Sequence, residues 1–419
     1  MIPTIIEGIK ARKILDSMGN WTIEVDVATK GGFGRCAAPS GASTGEFEAV
    51  SFPENDVDKA LLKVKETIAP KLIGMDSQEQ EAVDSVLKEV DGTENFSNIG
   101  GNTAVAISLA SAKAAASSCG ISLYKRLGGN FSTELPFPLG NVIGGGVHAS
   151  NAPDIQEFLV IPAGAKNVSE AVAVNSKVHK KTKEAILRKG KAALGKGDEG
   201  AWAPALRDEE ALELLFKVCK DVAGETGVRI RLGIDVAASM LWDSRKRKYI
   251  YKRGGKERSK ESQIEHIQDL VEKYELYYVE DPMEEKDFDG FAELTKSAKC
   301  LICGDDLYAT NVKRIEKGVK KRATNAVLIK PNQCGTLTDT FKAVNAAKNH
   351  NLTPVFSHRS GETTDETIAH LAVAFRCPII KTGVVGGERI VKLNELIRIS
   401  EGLVGKARMA SLPLLGETV

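Results

Sequence analysis

The chain has 419 residues, and its 42% hydrophobic and 27% charged content is typical of an ordinary globular protein. Its 57 Lys and Arg nearly balance 56 Asp and Glu, which argues against a nucleic-acid or anionic-membrane partner, since both select for a basic surface. No apolar run approaches the ~20 residues that span a bilayer, and this length predicts two domains.

The first residues lack the pattern of a secretory signal, and the seven cysteines are scattered and odd in number, as expected of reduced thiols. Both observations predict a cytoplasmic protein. Cys300 and Cys303 form a C-x-x-C pair within an apolar run, without a second pair to complete a zinc site. We therefore predict that they are buried in a core strand.

The N-terminal part reads as an α+β segment. Alternation over residues 22–27 predicts a half-buried strand, and a Gly-rich loop around Ser43 follows at 39–45. Helical stretches are predicted near 56–90 and, rich in alanine, over 103–119. The glycines of the Ser43 loop suggest a hinge, although an ordinary surface turn is an equally simple interpretation.

Glycine and proline residues near 128–138 predict a domain boundary, which divides the chain into residues 1–133 and 134–419. In the second part, short apolar runs end repeatedly in a polar residue. These residues are Asp235, Glu280, Asp305, Lys330, His358 and Lys381. From Glu280 onward they are 23 to 28 residues apart.

Such spacing fits a barrel of eight strand–helix units, each of about 30 residues, with functional groups at the strand ends. An open doubly wound sheet would show similar alternation, but it gathers its ligands at one switch point. The sequence therefore predicts an α/β fold, a (β/α)8-type barrel preceded by an N-terminal α+β domain.

Three of these strand-end residues are carboxylates, Asp235, Glu280 and Asp305. Gathered at one barrel mouth they would repel one another and require a cation, and all-oxygen ligands favour Mg²⁺ over Zn²⁺. Any one of them alone could equally be a solvated loop acid. The three in register predict a magnesium site.

Lys330 and Lys381 end later strands of the same barrel. A lysine beside a divalent metal should have a lowered pKa, which suits a general base, although an ion pair with the carboxylates is the alternative. Glu157 and Glu199 add acids on other loops. Together the set suits removal of a weakly acidic proton next to a carboxylate, with metal ions stabilising the resulting charge.

A series of short motifs follows in order along nearly the whole chain: residues 11–17 with Gly19-Asn20, 39–46, 154–158, 197–200, 235–239, 280–282, 304–307, 332–337, 357–363 and 380–383. Together these motifs resemble the enolase family. The use of a Lys base together with Mg²⁺ is implied by this resemblance, since it is the general strategy of the enolase superfamily.

The resemblance implies an activity, the reversible dehydration of 2-phosphoglycerate to phosphoenolpyruvate by a phosphopyruvate hydratase. Lys330 would take the proton from carbon 2. Glu199, supported by Glu157, would protonate the departing hydroxyl on carbon 3.

The resemblance also implies two Mg²⁺ ions in each active site. Asp235, Glu280 and Asp305 would hold the first, which binds the substrate carboxylate. Ser43 would bring in the second as its loop closes. The family also implies a homo-oligomer, either a dimer or an octamer.

The remaining implied roles concern the substrate, a small phosphorylated carboxylate. Arg359 with Ser360 would receive the phosphate, for which the bidentate guanidinium is well suited. Lys381 would pair with the substrate carboxylate. His148 and Gln156 would line the pocket, and His358 would contact the leaving-group side.

Two alternatives stay open. One is a paralogue of the same superfamily that acts on a non-phosphorylated acid, such as an acid-sugar dehydratase; Arg359, Ser360 and the Ser43 loop argue against it, because they would form a phosphate site. The other is a catalytically silent binding protein on the same fold. Such a protein would be expected to lack Lys330 or a metal ligand, and this chain has them all.

Overall fold

The computed structural model describes residues 3–41, 45–190 and 195–415. Its N-terminal part contains a three-stranded antiparallel sheet. Alternate residues of the middle strand, Ile23, Val25 and Val27, are fully buried, and this confirms the predicted strand. The strands are β1 (Ile6–Leu15), β2 (Trp21–Thr29) and β3 (Phe33–Ala37).

The helical part of this domain differs from the prediction in one respect. The continuous stretch predicted near 56–90 is wrong, because the backbone becomes extended at Ile73 and adopts a positive φ of 93° at Gly74. The alanine-rich stretch predicted over 103–119 is confirmed. The helices are α1 (Val57–Lys63), a π-helical turn (Val64–Ile68), α2 (Ala69–Leu72), α3 (Gln80–Asp91), α4 (Gly101–Ser118) and α5 (Leu123–Gly128).

Helix α4 is buried between the small sheet and the barrel. On the sheet side its backbone approaches β3 so closely that a Cβ on Gly34 would lie 2.0 Å from the Ala110 carbonyl oxygen. On the barrel side, the Ser108 hydroxyl accepts a hydrogen bond from the Leu337 amide at 2.9 Å. Small side chains therefore allow one helix to join the two parts of the molecule.

The rest of the chain forms the barrel and the shorter elements inserted between its strands. Its strands are β4 (Glu134–Leu135), β5 (Phe137–Gly144), β6 (Glu157–Ile161), β7 (Gly195–Lys196), β8 (Trp202–Ala203), β9 (Arg231–Asp235), β10 (Trp242–Asp243), β11 (Lys248–Tyr251), β12 (Lys256–Arg258), β13 (Tyr278–Glu280), β14 (Leu301–Gly304), β15 (Ala326–Ile329), β16 (Thr353–Ser357), β17 (Ile379–Gly383) and β18 (Arg408–Met409). Its helices are α6 (Val168–Arg188), α7 (Asp208–Thr226), α8 (Lys260–Tyr274), α9 (Phe288–Ser297), α10 (Val312–Lys321), α11 (Pro331–Cys334), α12 (Leu337–Asn349), α13 (Thr367–Ala374) and α14 (Gly387–Gly402).

The barrel consists of β5, β6, β9 and β13 to β17, and it closes because β17 pairs with β5. The predicted (β/α)8-type barrel is thereby confirmed, with one departure from regular alternation. Strand β6 runs antiparallel to both neighbours, so the chain passes from β5 to β6 without a crossover helix and from β6 to β9 through α6 and α7. The short β5–β6 connection is possible because neighbouring antiparallel strands can be joined by a tight loop, whereas parallel strands need a crossover.

The apolar interior is continuous with these strands. Cys300 and Cys303 are both fully buried free thiols, the second within β14, which confirms their predicted place in the core. Within residues 3–41, 45–190 and 195–415, no helix combines the length and the apolar character needed to cross a bilayer.

Candidate active site

The carboxyl ends of the parallel strands meet at one mouth of the barrel. Asp235 and Glu280 are the last residues of β9 and β13 and are register partners, and Asp305 directly follows β14. Because β6 runs in the opposite direction, its first residue reaches the same mouth, where Glu157 pairs in register with Asp235. Lys381 lies in the middle of β17 rather than at its end as predicted.

One cavity at this mouth is lined by almost all the residues predicted for the site. Glu280 is not part of the lining; it is fully buried and contacts Lys381. Ser43 lies outside the described residues. The predicted residues that line the cavity are His148, Gln156, Glu157, Glu199, Asp235, Asp305, Lys330, His358, Arg359, Ser360 and Lys381.

Lys381 is surrounded by carboxylates. Its Nζ lies 2.8 Å from Oε1 of Glu280, 3.1 Å from Oδ2 of Asp235 and 3.1 Å from Oε1 of Glu157. Burial alone would lower the pKa of this lysine, but the three negative charges outweigh burial and raise it well above its usual range. Lys381 is therefore a buried ammonium group at the centre of the mouth.

Lys330 forms an ion pair with Asp305. The sequence predicts a lowered pKa for this lysine beside a divalent metal; among the protein's own side chains its pKa is raised, because the adjacent Asp305 carboxylate outweighs the opposite effect of burial. The second oxygen of Asp305 accepts a hydrogen bond from Nε2 of Gln333 at 3.0 Å. In this arrangement Lys330 is the ion-pair partner of Asp305, the alternative that the sequence left open.

The predicted metal ligands supply only oxygen atoms. Burial raises the pKa of Glu280 to about 8, and the nearby charge of Asp235 adds to the rise. Oxygen-only ligands with a surplus of negative charge fit a hard cation such as Mg²⁺. Elsewhere in the mouth, Asp281 accepts hydrogen bonds from the amides of Asp305 and Asp306 at 3.0 and 2.8 Å and so orients that loop.

Two clusters of potential ligand atoms converge within 4.8 Å in the described part of the chain. One consists of Asp281, Asp305 and Asp306, and so shares only Asp305 with the predicted trio. The sequence motifs contained Asp281 and Asp306 but gave them no role. The other cluster consists of His148, Glu157 and Glu199.

The Glu157 and Glu199 carboxyl groups have opposite pKa shifts. Burial raises the pKa of Glu157 well above its usual range, and the charge of Glu199 adds to this effect. Burial acts on Glu199 in the same direction, but the nearby His358, His148 and Arg389 outweigh it and lower that pKa. Two buried acids this close together titrate as a pair, and burial favours the protonated form of Glu157 over that of Glu199.

Arg359 is fully engaged at the edge of the cavity. Its Nη1 lies 2.8 Å from Oε2 of Glu48 and donates to Oδ1 of Asn332 at 3.0 Å, while Nη2 donates to Oε1 of Glu48 at 3.2 Å. The Glu48 carboxylate thus occupies the guanidinium fork in the way an anionic ligand would. Glu48 was not among the predicted residues, although its position just after the Ser43 loop was a signal that could have identified it.

His358 lies deeper in the mouth. Its Nε2 is 3.2 Å from Oε2 of Glu199, a close contact without the angle of an aligned hydrogen bond. Burial lowers the pKa of His358 to about 4, so the ring is neutral at neutral pH. Glu199 also accepts a hydrogen bond from Nδ2 of Asn141 at 3.0 Å.

Comparison with known proteins adds an independent observation. Residues 6–127 match a family model described as the enolase N-terminal domain, and residues 132–414 match the enolase C-terminal TIM barrel domain. An enolase of Methanosphaera stadtmanae is 57% identical over 413 residues, which cover 98% of this chain and 100% of the relative. Enolases of Methanothermobacter thermautotrophicus and Archaeoglobus fulgidus are 54% and 52% identical, over 98% and 97% of this chain and 99% and 100% of those relatives.

Proposed function

This chain belongs to the enolase family, and from that premise we propose which residues at its barrel mouth carry out each step of the family's reaction. That reaction is the reversible dehydration of 2-phosphoglycerate to phosphoenolpyruvate, a lyase reaction of glycolysis. One observation carries the proposal: lysine, arginine, histidine and carboxylate side chains line a single cavity at the barrel mouth.

The proton on carbon 2 of the substrate would be removed by Lys330. Its amine reaches the cavity beside Asp305, and it must release its own proton before it can act as a base. Lys381, held as an ammonium among carboxylates, would bind the substrate carboxylate and favour the extra negative charge that forms there.

The hydroxyl on carbon 3 would leave with a proton from the acid pair. Glu199 is the proposed donor, and Glu157 would hold the proton until it is needed, which agrees with its raised pKa. His148 and Gln156 would line the substrate pocket, and His358, in contact with Glu199, would lie on the leaving-group side.

The substrate phosphate would bind Arg359 and Ser360. In support, the guanidinium of Arg359 already holds a carboxylate in its fork, so the position accepts an anion. Incoming phosphate would compete with Glu48 for that fork. This links substrate binding to the segment that follows Ser43.

Mg²⁺ would be held by Asp235, Glu280 and Asp305, and a second ion by Ser43. When bound, the metal supplies positive charge that stabilises the dianionic carboxylate formed in the reaction. Two features of the structure support a cation site. The donors are all oxygen, and lysine ammonium groups already lie against each of the three carboxylates.

The test is the formation of phosphoenolpyruvate from 2-phosphoglycerate, followed by ultraviolet absorbance with Mg²⁺ and then with EDTA. We expect magnesium-dependent turnover that Lys330→Ala abolishes. Lys342→Ala, a change at an exposed lysine of α12, should retain it. A folded, magnesium-supplied protein without turnover, or a fully active Lys330→Ala variant, would overturn these roles.

We also propose that the domains divide at residues 133 and 134, that the chain forms a homodimer or octamer, and that it acts in the cytoplasm. The first family match ends at residue 127 and the second begins at residue 132, which is close to the proposed boundary and supports it. Light scattering of the purified protein would distinguish a monomer from a dimer or octamer.

A further inference from the structure

Arg389 is a buried cation to which the sequence motifs gave no role. It lies in the first turn of α14, directly after the last barrel strand, and none of its surface is exposed. Its nearest carboxylate is Glu388, whose Oε1 is 3.3 Å from Nε. A guanidinium is costly to bury, so its other contacts should explain its position.

Those contacts join two loops of the active site. Nη2 donates to the carbonyl oxygens of Ser360 at 2.5 Å and Asp198 at 3.1 Å, while Nη1 donates to the carbonyl of Arg359. One planar group therefore holds the proposed phosphate-binding residues and the residue before Glu199 in a fixed relation. Arginine provides five donors in one rigid fork, which a lysine cannot reproduce.

The remaining contact of Nη1 is with His358. It lies 2.8 Å from Nδ1, and the Gly383 amide also donates to that nitrogen, at 3.3 Å. Arginine has no acceptor, so Nδ1 must accept, and the single proton of the neutral ring must be on Nε2. That is the nitrogen 3.2 Å from the Glu199 carboxylate.

We propose that Arg389 is a positioning residue: it fixes the Nε2–H tautomer of His358 toward Glu199 and holds the Arg359–Ser360 loop against the Glu199 loop. This proposal rests on the proposed function for its catalytic consequence, because it acts on the proposed acid and the proposed phosphate site together. Its structural part, the tautomer, does not depend on any activity.

The test compares Arg389→Lys with Lys392→Met. The first keeps a cation but loses the fork. The second removes a buried cation from the same helix, one that binds Glu362 and the Thr363 carbonyl without contacting His358. ¹⁵N chemical shifts of labelled histidine would report which ring nitrogen carries the proton in each folded variant.

We expect Arg389→Lys to lose the pure Nε2–H signal of His358, and Lys392→Met to keep it. With 2-phosphoglycerate, Arg389→Lys should lower kcat about 10- to 100-fold, the usual effect of losing a partner that orients a functional histidine, and should also raise KM. A merely structural role would reduce the yield of folded enzyme and leave the tautomer and KM unchanged.

The proposal is overturned if folded Arg389→Lys keeps the wild-type tautomer with wild-type kcat and KM. It is also overturned if the wild-type ring carries its proton on Nδ1. A wild-type protein without turnover would instead remove the proposed function, while the tautomer measurement would still decide the positioning role.

Discussion

Two clusters of charged side chains, one on the surface and one in a cavity, differ in the balance of their charges. On the outer sheet, Arg12 and Arg35 pair with Glu24 and Asp26, two of each sign, and the Arg35 side chain is 52% exposed. At the barrel mouth, Lys381 alone contacts three carboxylates and is itself 3% exposed.

The difference lies in the balance between positive and negative groups within each cluster. In the surface cluster the positive and negative charges are equal in number, and water screens them. Such exposed pairs add little stability. The mouth is incomplete, because buried carboxylates outnumber the ammonium groups that face them. An excess of buried carboxyl groups over ammonium groups predicts that the mouth, and not the sheet, binds cations.

The largest expected effect comes from Glu280→Gln, which replaces one carboxyl group of the mouth by an amide of nearly the same shape. Loss of this proposed metal ligand, which would help stabilise several kcal/mol of transition-state charge, should reduce kcat/KM by about 1,000-fold. Mg²⁺ should also stop raising the thermal unfolding midpoint of the variant. Enzyme assays and calorimetry with and without Mg²⁺ would measure both.

The matched control is Glu293→Gln, at an exposed position of α9, which should behave like wild type. If Glu280→Gln retained its response to Mg²⁺, Glu280 would not be a ligand, and the charge excess of the mouth would need another explanation.

A smaller effect is expected from Glu48→Gln, which leaves Arg359 buried without its anionic partner. Breaking a buried pair from one side should lower the free energy of unfolding by about 2 to 3 kcal/mol, since the glutamine keeps some hydrogen bonding. Inorganic phosphate should then stabilise the variant more than it stabilises wild type, because Glu48 no longer competes for the fork.

Urea unfolding with and without phosphate would test this, and Glu46→Gln is the control, since Glu46 is 58% exposed and pairs with Lys286. Equal phosphate stabilisation of wild type and Glu48→Gln would show that the phosphate does not use the fork that Glu48 occupies.

The smallest effect is expected at the surface cluster. Partial burial would raise the pKa of Asp26, but hydrogen bonds from Arg35 and Arg12 outweigh it and lower that pKa to about 2. A lowered folded-state pKa contributes stability above the unfolded value near 4 and loses it as pH falls through about 2. Asp26→Asn should therefore cost about 1 kcal/mol at neutral pH, after solvent screening.

That cost should decrease as the pH of urea unfolding is lowered from 7 toward 3, and added salt should also reduce it. Asp58→Asn, at a 67% exposed partner of Lys13, should show almost none. A cost at Asp26 that did not change with pH would mean that packing, and not charge, is the contribution of this residue.

Several parts of this structure were accessible from the sequence alone. The barrel was, because each parallel strand is a short apolar run and the polar residue after it marks the mouth. The reversed direction of β6 was not, since an apolar run looks the same in either direction. The break at Gly74 was also missed, because a single glycine is tolerated within a helical pattern.

The residues of the site also divide into those that the sequence indicates and those that it does not. Asp235, Glu280 and Asp305 stood out because they interrupt apolar strands, and their proposed roles remain predictions. Glu48 and Arg389 did not, because a charged residue in a loop or on a helix is usually solvated, and only the folded structure shows that these two are buried. The pKa of Lys330 depends on the distance to Asp305, which no spacing along the chain specifies.

The reversed strand has a consequence for how the acid Glu199 reaches the mouth. The chain descends along β6, climbs through α6 and descends again through α7 to the end at which β9 begins, so the connection between these helices lies at the top of the barrel. Trp202 in that connection pairs with Ile143 near the end of β5. Glu199 is thus carried by the connection between two helices rather than by a barrel strand, so its place among the strand-end residues depends on the contacts of that connection with β5 and Arg389.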